Sequence, residues 1–201
     1  GGRVFGRGAC AGGEGPGADR GFRPGRAVLI RPATPTDAPA IGGMHAQAWT
    51  ETYQGIAPPA LYAEMSDPAR RRAAWARIIG AERMPESTFL AEEGGAVIGF
   101  INVCAAREAA LGAEGEVAAL YLLRRAQRRG IGTALLRRGA ARLVEAGHRS
   151  AGAWVLDANA GARAFYAATG AMPGTSQVGY HGPHAISETA YIWHDLHALL
   201  P

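Results

Sequence analysis

"GEVAALYLLRRAQRRGIGTALLRR", residues 115–138, is the stretch on which the fold turns. Its first nine residues read as an apolar strand. From Ile131 to Gly147 the spacing changes to that of a helix. Leu136, Ala140, Leu143 and Val144 form one stripe, and Arg138, Arg142, Glu145 and Arg149 form the opposite face. Gly130 and Gly132 flank Ile131 at the junction. A strand, a glycine turn and a helix in direct succession point unpaired N–H groups and a helix dipole at the turn, an arrangement suited to an anion. Six arginines crowd residues 124–138, in a chain without lysine. A nucleic-acid grip, a phosphate cradle and an exposed basic helix all fit that composition.

Two phosphate loops are excluded by residue type. A Walker A loop requires a lysine, and a dinucleotide fingerprint requires a third glycine where Leu135 stands. What remains is Gln127-x-x-Gly130-x-Gly132, compatible with a cradle or with an ordinary helix start.

Working outward, "AVLIRPAT" is a short strand stopped at Pro32, and Thr36 or Thr34 caps the helix that follows, Pro39 favouring Thr36. Ile41, Met44 and Ala48 continue that helix, which "TETYQGIAPP" breaks. Asp67 and Pro68 open a second helix whose Arg70, Arg71 and Arg72 read as a solvated face. "STFLAEE" and "AVIGFINVCA", joined at Gly94-Gly95, form a hairpin. After the central helix come the strand "SAGAWVL", the short helix "NAGARAFYAATG", a strand near "TSQVGY" and the last strand "AISETAYIWHDL". The order is strand, two helices, three strands, helix, strand, helix, two strands, which is a mixed α/β sheet.

Residues 27–201 are expected to form one domain, with residues 1–26 a Gly/Arg-rich extension too poor in large apolar groups to fold. The first methionine is Met44, inside a predicted helix, so translation is expected to begin near Val28 from a non-ATG codon. N-terminal sequencing of native protein checks this. The extension carries +3 of the formal +4 charge, leaving the domain close to neutral and unlike a basic-faced nucleic-acid module. No apolar run reaches membrane-span length and no signal-peptide core is present, so a cytoplasmic protein is expected. The two cysteines, Cys10 and Cys104, make a disulfide framework improbable, and Cys104 reads as a buried thiol.

Three segments together resemble the GCN5-related N-acetyltransferase (GNAT) superfamily. "EVAALYLLRRAQRRGIGTALL" is similar to its acetyl-CoA segment, with the signature [QR]-x-x-G-x-[GA]. "WVLDANAGARAFYAATGA" is similar to its second cofactor segment. "IRPATPTDAPAI" followed by "AWTETYQGIAPP" resembles the N-terminal half of many small bacterial members. The resemblance covers roughly residues 27–195. It implies a mostly antiparallel central sheet of six to seven strands flanked by helices, splayed between the fourth and fifth strands.

The activity it implies is attack of an amine on the thioester of acetyl-CoA, without a metal. The pyrophosphate would rest on amides of Arg128, Arg129, Gly130, Ile131, Gly132 and Thr133, with Gln127 starting the motif. The pantetheine arm would pair along Leu120, Tyr121 and Leu122. An alkylamine of pKa ~10.4 is neutral in only about 1 molecule in 2,500 at pH 7, so a base is useful. Glu116 stands at the family's spacing for one, and reads equally as a strand-start carboxylate; Glu114 is the fallback. Tyr166 matches the family's general acid, beside a packing role shared with Phe165. Asn159 caps its helix and is placed to bond the pantetheine arm. Trp49, Tyr53, Gln54, Tyr180, His181 and His184 would line the acceptor pocket. The expected partner is a small-molecule or peptide amine, with no nucleic acid or membrane, acting as monomer or homodimer. A silent acyl-CoA sensor and an arginine-mediated nucleic-acid binder are the competing functions.

Overall fold

The computed structural model describes residues 27–80, 87–181 and 183–200; the N-terminal extension and Cys10 lie outside them. Seven strands form one sheet: β1 (Val28–Pro32), β2 (Thr88–Glu93), β3 (Ala96–Ala105), β4 (Gly115–Leu122), β5 (Ala151–Leu156), β6 (Met172–His181) and β7 (His184–Trp193). Their order is β1-β2-β3-β4-β5-β7-β6. Every neighbouring pair is antiparallel except β4–β5, so the sheet is mixed as expected.

Five helices complete the fold: α1 (Ala38–Tyr53), α2 (Pro59–Met65), α3 (Pro68–Gly80), α4 (Ile131–Glu145) and α5 (Ala160–Ala168). Three helices, not two, separate β1 from β2. The additional α2 is seven residues long and buries only Leu61, too little to show a helical period in sequence. Helix α1 also runs through Tyr53 rather than breaking near Thr50. Trp49 and Tyr53, one turn apart, stack at 4.0 Å between centroids, and the Thr50 hydroxyl donates back to the Ala46 carbonyl. At its other end, Thr34 caps a short 3-10 turn over Pro35–Asp37, and Asp37, not Thr36, precedes α1. Asp37 is drawn there by Arg31, whose guanidinium grips its carboxylate at 2.8 Å and Glu92 at 2.6 Å. The cap on α3 is as expected, with Asp67 Oδ1 accepting from the Ala69 amide.

Helix α4 packs its stripe on the sheet, burying Ile131, Leu135, Leu136, Ala140 and Leu143. On the opposite face, α1 and α3 cover Leu90 and Phe100 with Ile41, Met44 and Trp75. What positions the site is the parallel pair. Strands β4 and β5 share only two residue pairs, Gly115↔Ala151 and Glu116↔Gly152, and then diverge. Val117 to Leu122 thus face a wedge with no strand partner on that side among the described residues.

Candidate active site

The turn after β4 is built for unpaired amides. Gln127 donates from Nε2 to the Leu122 carbonyl at 3.3 Å, fastening the turn to the strand end. Arg128 and Gly130 both take left-handed backbone, with φ of 61° and 78°. That conformation is costly for a side-chain-bearing residue, on the order of 1–2 kcal/mol. The first backbone bond at the start of α4 is Ala134 N–H to Gly130 C=O at 3.0 Å. The preceding amides, from Arg128 through Thr133, have no backbone acceptor among the described residues. A Cβ at Gly130 would meet no protein atom within 4 Å, so glycine is needed there for its φ and not to avoid a clash.

The arginines around the turn are exposed, and several of them also reach acidic groups or carbonyls of neighbouring elements. Arg124 donates its amide to Glu51 Oε2 at 2.6 Å and its guanidinium to the Glu51 carbonyl, so it ties the turn to α1 while remaining exposed. Arg129 turns its side chain to Glu93 at 2.6 Å, with Arg125 nearby at 3.9 Å. Its guanidinium is thus engaged with a carboxylate of β2. Arg138 lies over the Phe89 ring at 5.0 Å. The exposed cluster thus also braces the turn against α1 and β2.

Beside the turn, the wedge is walled by aromatic side chains. Trp49 Nε1 donates to the Tyr121 hydroxyl at 3.2 Å. Asn159 accepts from the Ala162 amide at 3.0 Å, capping α5, and donates to the Tyr53 hydroxyl at 3.2 Å. Both ends of its amide are thus committed. Tyr166 is 7% exposed and packs edge-on against Trp193 and Phe165. Its hydroxyl takes no hydrogen bond among the described residues, while Phe165 presses on the position of Gly132. Burial raises the pKa of Tyr53, Tyr121 and Tyr166 above that of an ordinary phenol. All three are protonated donors at neutral pH. Sequence reading singled out Tyr121 only for its backbone; its phenol belongs to the wall because a bulge at Asn102/Val103 resets which β4 residues face α1.

Glu116 opens β4 and is buried, at 3% exposure. Arg107 donates its amide at 3.2 Å and Nε at 3.0 Å to Oε2, and its terminal nitrogen to Oε1. Both carboxylate oxygens are occupied by a residue whose own side chain is 64% exposed. Glu114 is spent elsewhere, accepting from the Arg149 amide at 2.6 Å. Cys104, half-buried beside them, has its thiol pKa raised by burial.

Trp49 and Tyr53, at 1% and 6% exposure, are floor rather than open lining. His184 sits apart from them, in a cleft of about 400 Å³ bounded by Ala60, Ala63, Glu64, Asp67 and Arg70. Leu61 of α2 and Ile186 of β7 connect the two regions by packing on Trp49 and Tyr53. Tyr180 is largely exposed on the β6 edge, and Gln54 is exposed where α1 ends.

Residues 47–171, spanning the floor, the turn and α5, match the model of the acetyltransferase (GNAT) family. This protein belongs to that family. The acetyltransferase is 33% identical over 138 residues to YuaI of Bacillus subtilis strain 168, itself an uncharacterized N-acetyltransferase. That match covers 66% of this chain and 73% of YuaI. Among solved structures it resembles a GCN5-related N-acetyltransferase from Rhodopseudomonas palustris. The TM-score is 0.66 at 16% identity, over 86% of this chain and 98% of the other. YncA of Salmonella typhimurium, solved with acetyl-CoA, gives 0.62 at 22% identity, covering 85% and 94%. The PaiA N-acetyltransferase of Thermoplasma acidophilum, in complex with coenzyme A, gives 0.57 at 17%, covering 81% and 98%. These structural likenesses establish the fold of the acetyltransferase.

Proposed function

We propose that this protein transfers the acetyl group of acetyl-CoA to an amine by direct attack. The observation that carries the reading is the run of unpaired amides from Arg128 to Thr133 beside the open β4–β5 wedge. Bound acetyl-CoA supplies an acyl group activated as a thioester. The chain's amides hold the pyrophosphate at the start of α4, where dipole and N–H groups favour negative charge. The unpaired edge of β4 at Leu120, Tyr121 and Leu122 aligns the pantetheine arm, and an amide there polarises the reacting carbonyl.

Tyr166 hands its proton to the leaving thiolate. Its hydroxyl is protonated and unengaged, whereas those of Tyr53 and Tyr121 are held by Asn159 and Trp49. Glu116 accepts the amine's proton, directly or through water, once Arg107 swings outward. Trp49, Tyr53 and His184 border the acceptor's route. Asn159 fixes Tyr53 and α5 rather than offering a free amide.

The Arg107–Glu116 pair favours one second reading, an acyl-CoA sensor without turnover. One measurement separates the readings. Coenzyme A raises Tm under both. Release of free thiol from acetyl-CoA in the presence of a panel of amines occurs only for the enzyme; no release with any amine at pH 7–9 overturns it.

A further inference from the structure

We infer that Glu188 anchors a second positive charge on the acceptor, so that the preferred substrate is an amine carrying another cationic centre. This rests on the acetyl-transfer reading above. Glu188 lies on β7 opposite Leu156 of β5 and Gln177 of β6. It is 6% exposed. A carboxylate is seldom buried without a cation, because desolvation is costly unless an opposite charge repays it. None of the ion pairs among the described residues includes Glu188. Its hydrogen bond comes from the neutral amide of Gln177, at 3.1 Å. The same amide reaches Glu108 at 3.5 Å, which brings a second carboxylate to the place instead of a counter-charge. Arg107, next in sequence, is committed to Glu116.

The space for this carboxylate is built into the neighbouring strand. A Cβ at Gly179 would stand 2.1 Å from Glu188 Oε1. Gly179 has no positive φ, so its missing side chain makes room for the carboxylate rather than relieving the backbone. The location suits an acceptor. Ile186, two residues earlier on the same face of β7, and Leu156 both pack with Trp49 and Tyr53 on the floor of the wedge. Glu188 thus sits one strand pleat beyond it, roughly 7 Å along β7. Apolar Leu156 and Ile186 match a methylene chain, and Glu188 matches the charge at its far end.

The test compares cadaverine with pentylamine, which has the same carbon chain and lacks the second ammonium. The wild-type chain is expected to prefer cadaverine by about tenfold or more in kcat/KM. Glu188→Gln brings that ratio near one, through a higher KM for cadaverine, with the coenzyme A thermal shift unaltered. Gly179→Ala, which displaces the carboxylate while keeping it, gives the same collapse. A wild-type chain that binds coenzyme A but acetylates both amines alike, or neither, overturns the inference. So does an unchanged ratio in Glu188→Gln. If coenzyme A fails to stabilise the wild-type chain, the acetyl-transfer reading falls first and this inference with it.

Discussion

Tyr166 and Glu116 present opposite situations at the scale of single residues. Tyr166 is buried with its hydroxyl uncommitted, so Tyr166→Phe removes a proton donor while leaving the packing on Trp193 intact. We expect kcat to fall about 100-fold, the lower end of the range for a general acid, with KM for acetyl-CoA little changed. A rise in KM at unchanged kcat would make the phenol a binding group. Glu116 is held by Arg107, whose own side chain is exposed, so replacing Glu116 costs about 1 kcal/mol, whereas removing Arg107 leaves a buried carboxylate unpaired and costs more. If Glu116 is the base, Glu116→Gln flattens the acidic limb of the pH–rate profile and Arg107→Ala does not. If the pair is only structural, Arg107→Ala loses more stability in urea than Glu116→Gln, because it leaves the buried carboxylate unpaired, and both keep the limb. The residues quoted from the sequence could not distinguish these outcomes, because nothing local to Glu116 announces that Arg107 folds back over it from the β3–β4 connection.

In the proposed reading, acetyl-CoA binding depends on one element, the turn with helix α4. Gly130 at its start and Gly147 just past its end both have positive φ, 78° and 92°, and a Cβ at either meets open space. Replacing either by alanine should cost about 1 kcal/mol, or a Tm lower by roughly 3 °C in a chain of this size. Only Gly130→Ala should also weaken acetyl-CoA, by about tenfold in KM, because it alone bends the amides of the cradle. Equal KM values for the two variants would remove the turn from the binding site. The sequence shows the glycines and the register set by Gln127. It does not show that Arg128 shares the left-handed backbone, since arginine has no preference for it, nor that Arg124 and Arg129 reach back to Glu51 and Glu93.

For the whole molecule, the interface between α1, α3 and the sheet sets a pH dependence. His45 is buried there, accepts from Trp75 Nε1 at 2.9 Å and stacks near Tyr121. Burial, aided by the Arg71 charge, lowers its pKa to about 3. The folded protein therefore holds His45 neutral where the unfolded chain, with a pKa near 6.5, takes up a proton. Its contribution is complete above pH 6.5 and is lost as pH falls, by about 2 kcal/mol at pH 5. Asp37, whose carboxyl Arg31 holds well below the usual range, gives up its contribution only below about pH 4. The window from pH 6.5 to 5 thus isolates His45. Wild-type stability should fall across it, and His45→Gln should show a shallower slope; parallel slopes would assign the effect elsewhere.

The order and type of nearly every strand and long helix were legible because each carries its own periodicity or punctuation: the Gly94-Gly95 hairpin, Asp67-Pro68 before α3, the stripe of α4. Helix α2 and the true start of α1 were not, since one is shorter than two helical turns and the other is fixed by Arg31 gripping Asp37 across the chain. The phosphate-type turn was likewise visible as a local pattern, whereas the candidate acid was marked only by the resemblance of its segment to the family's. The sequence by itself determined a mixed sheet with an amide-rich turn at its centre. Only the tertiary structure decided which phenols are engaged, which acidic groups the arginines meet, that Glu116 is paired and that Glu188 has no counter-charge among the described residues. Periodicity is written along the chain, whereas the partner of a charge is chosen by the residues that folding brings to it.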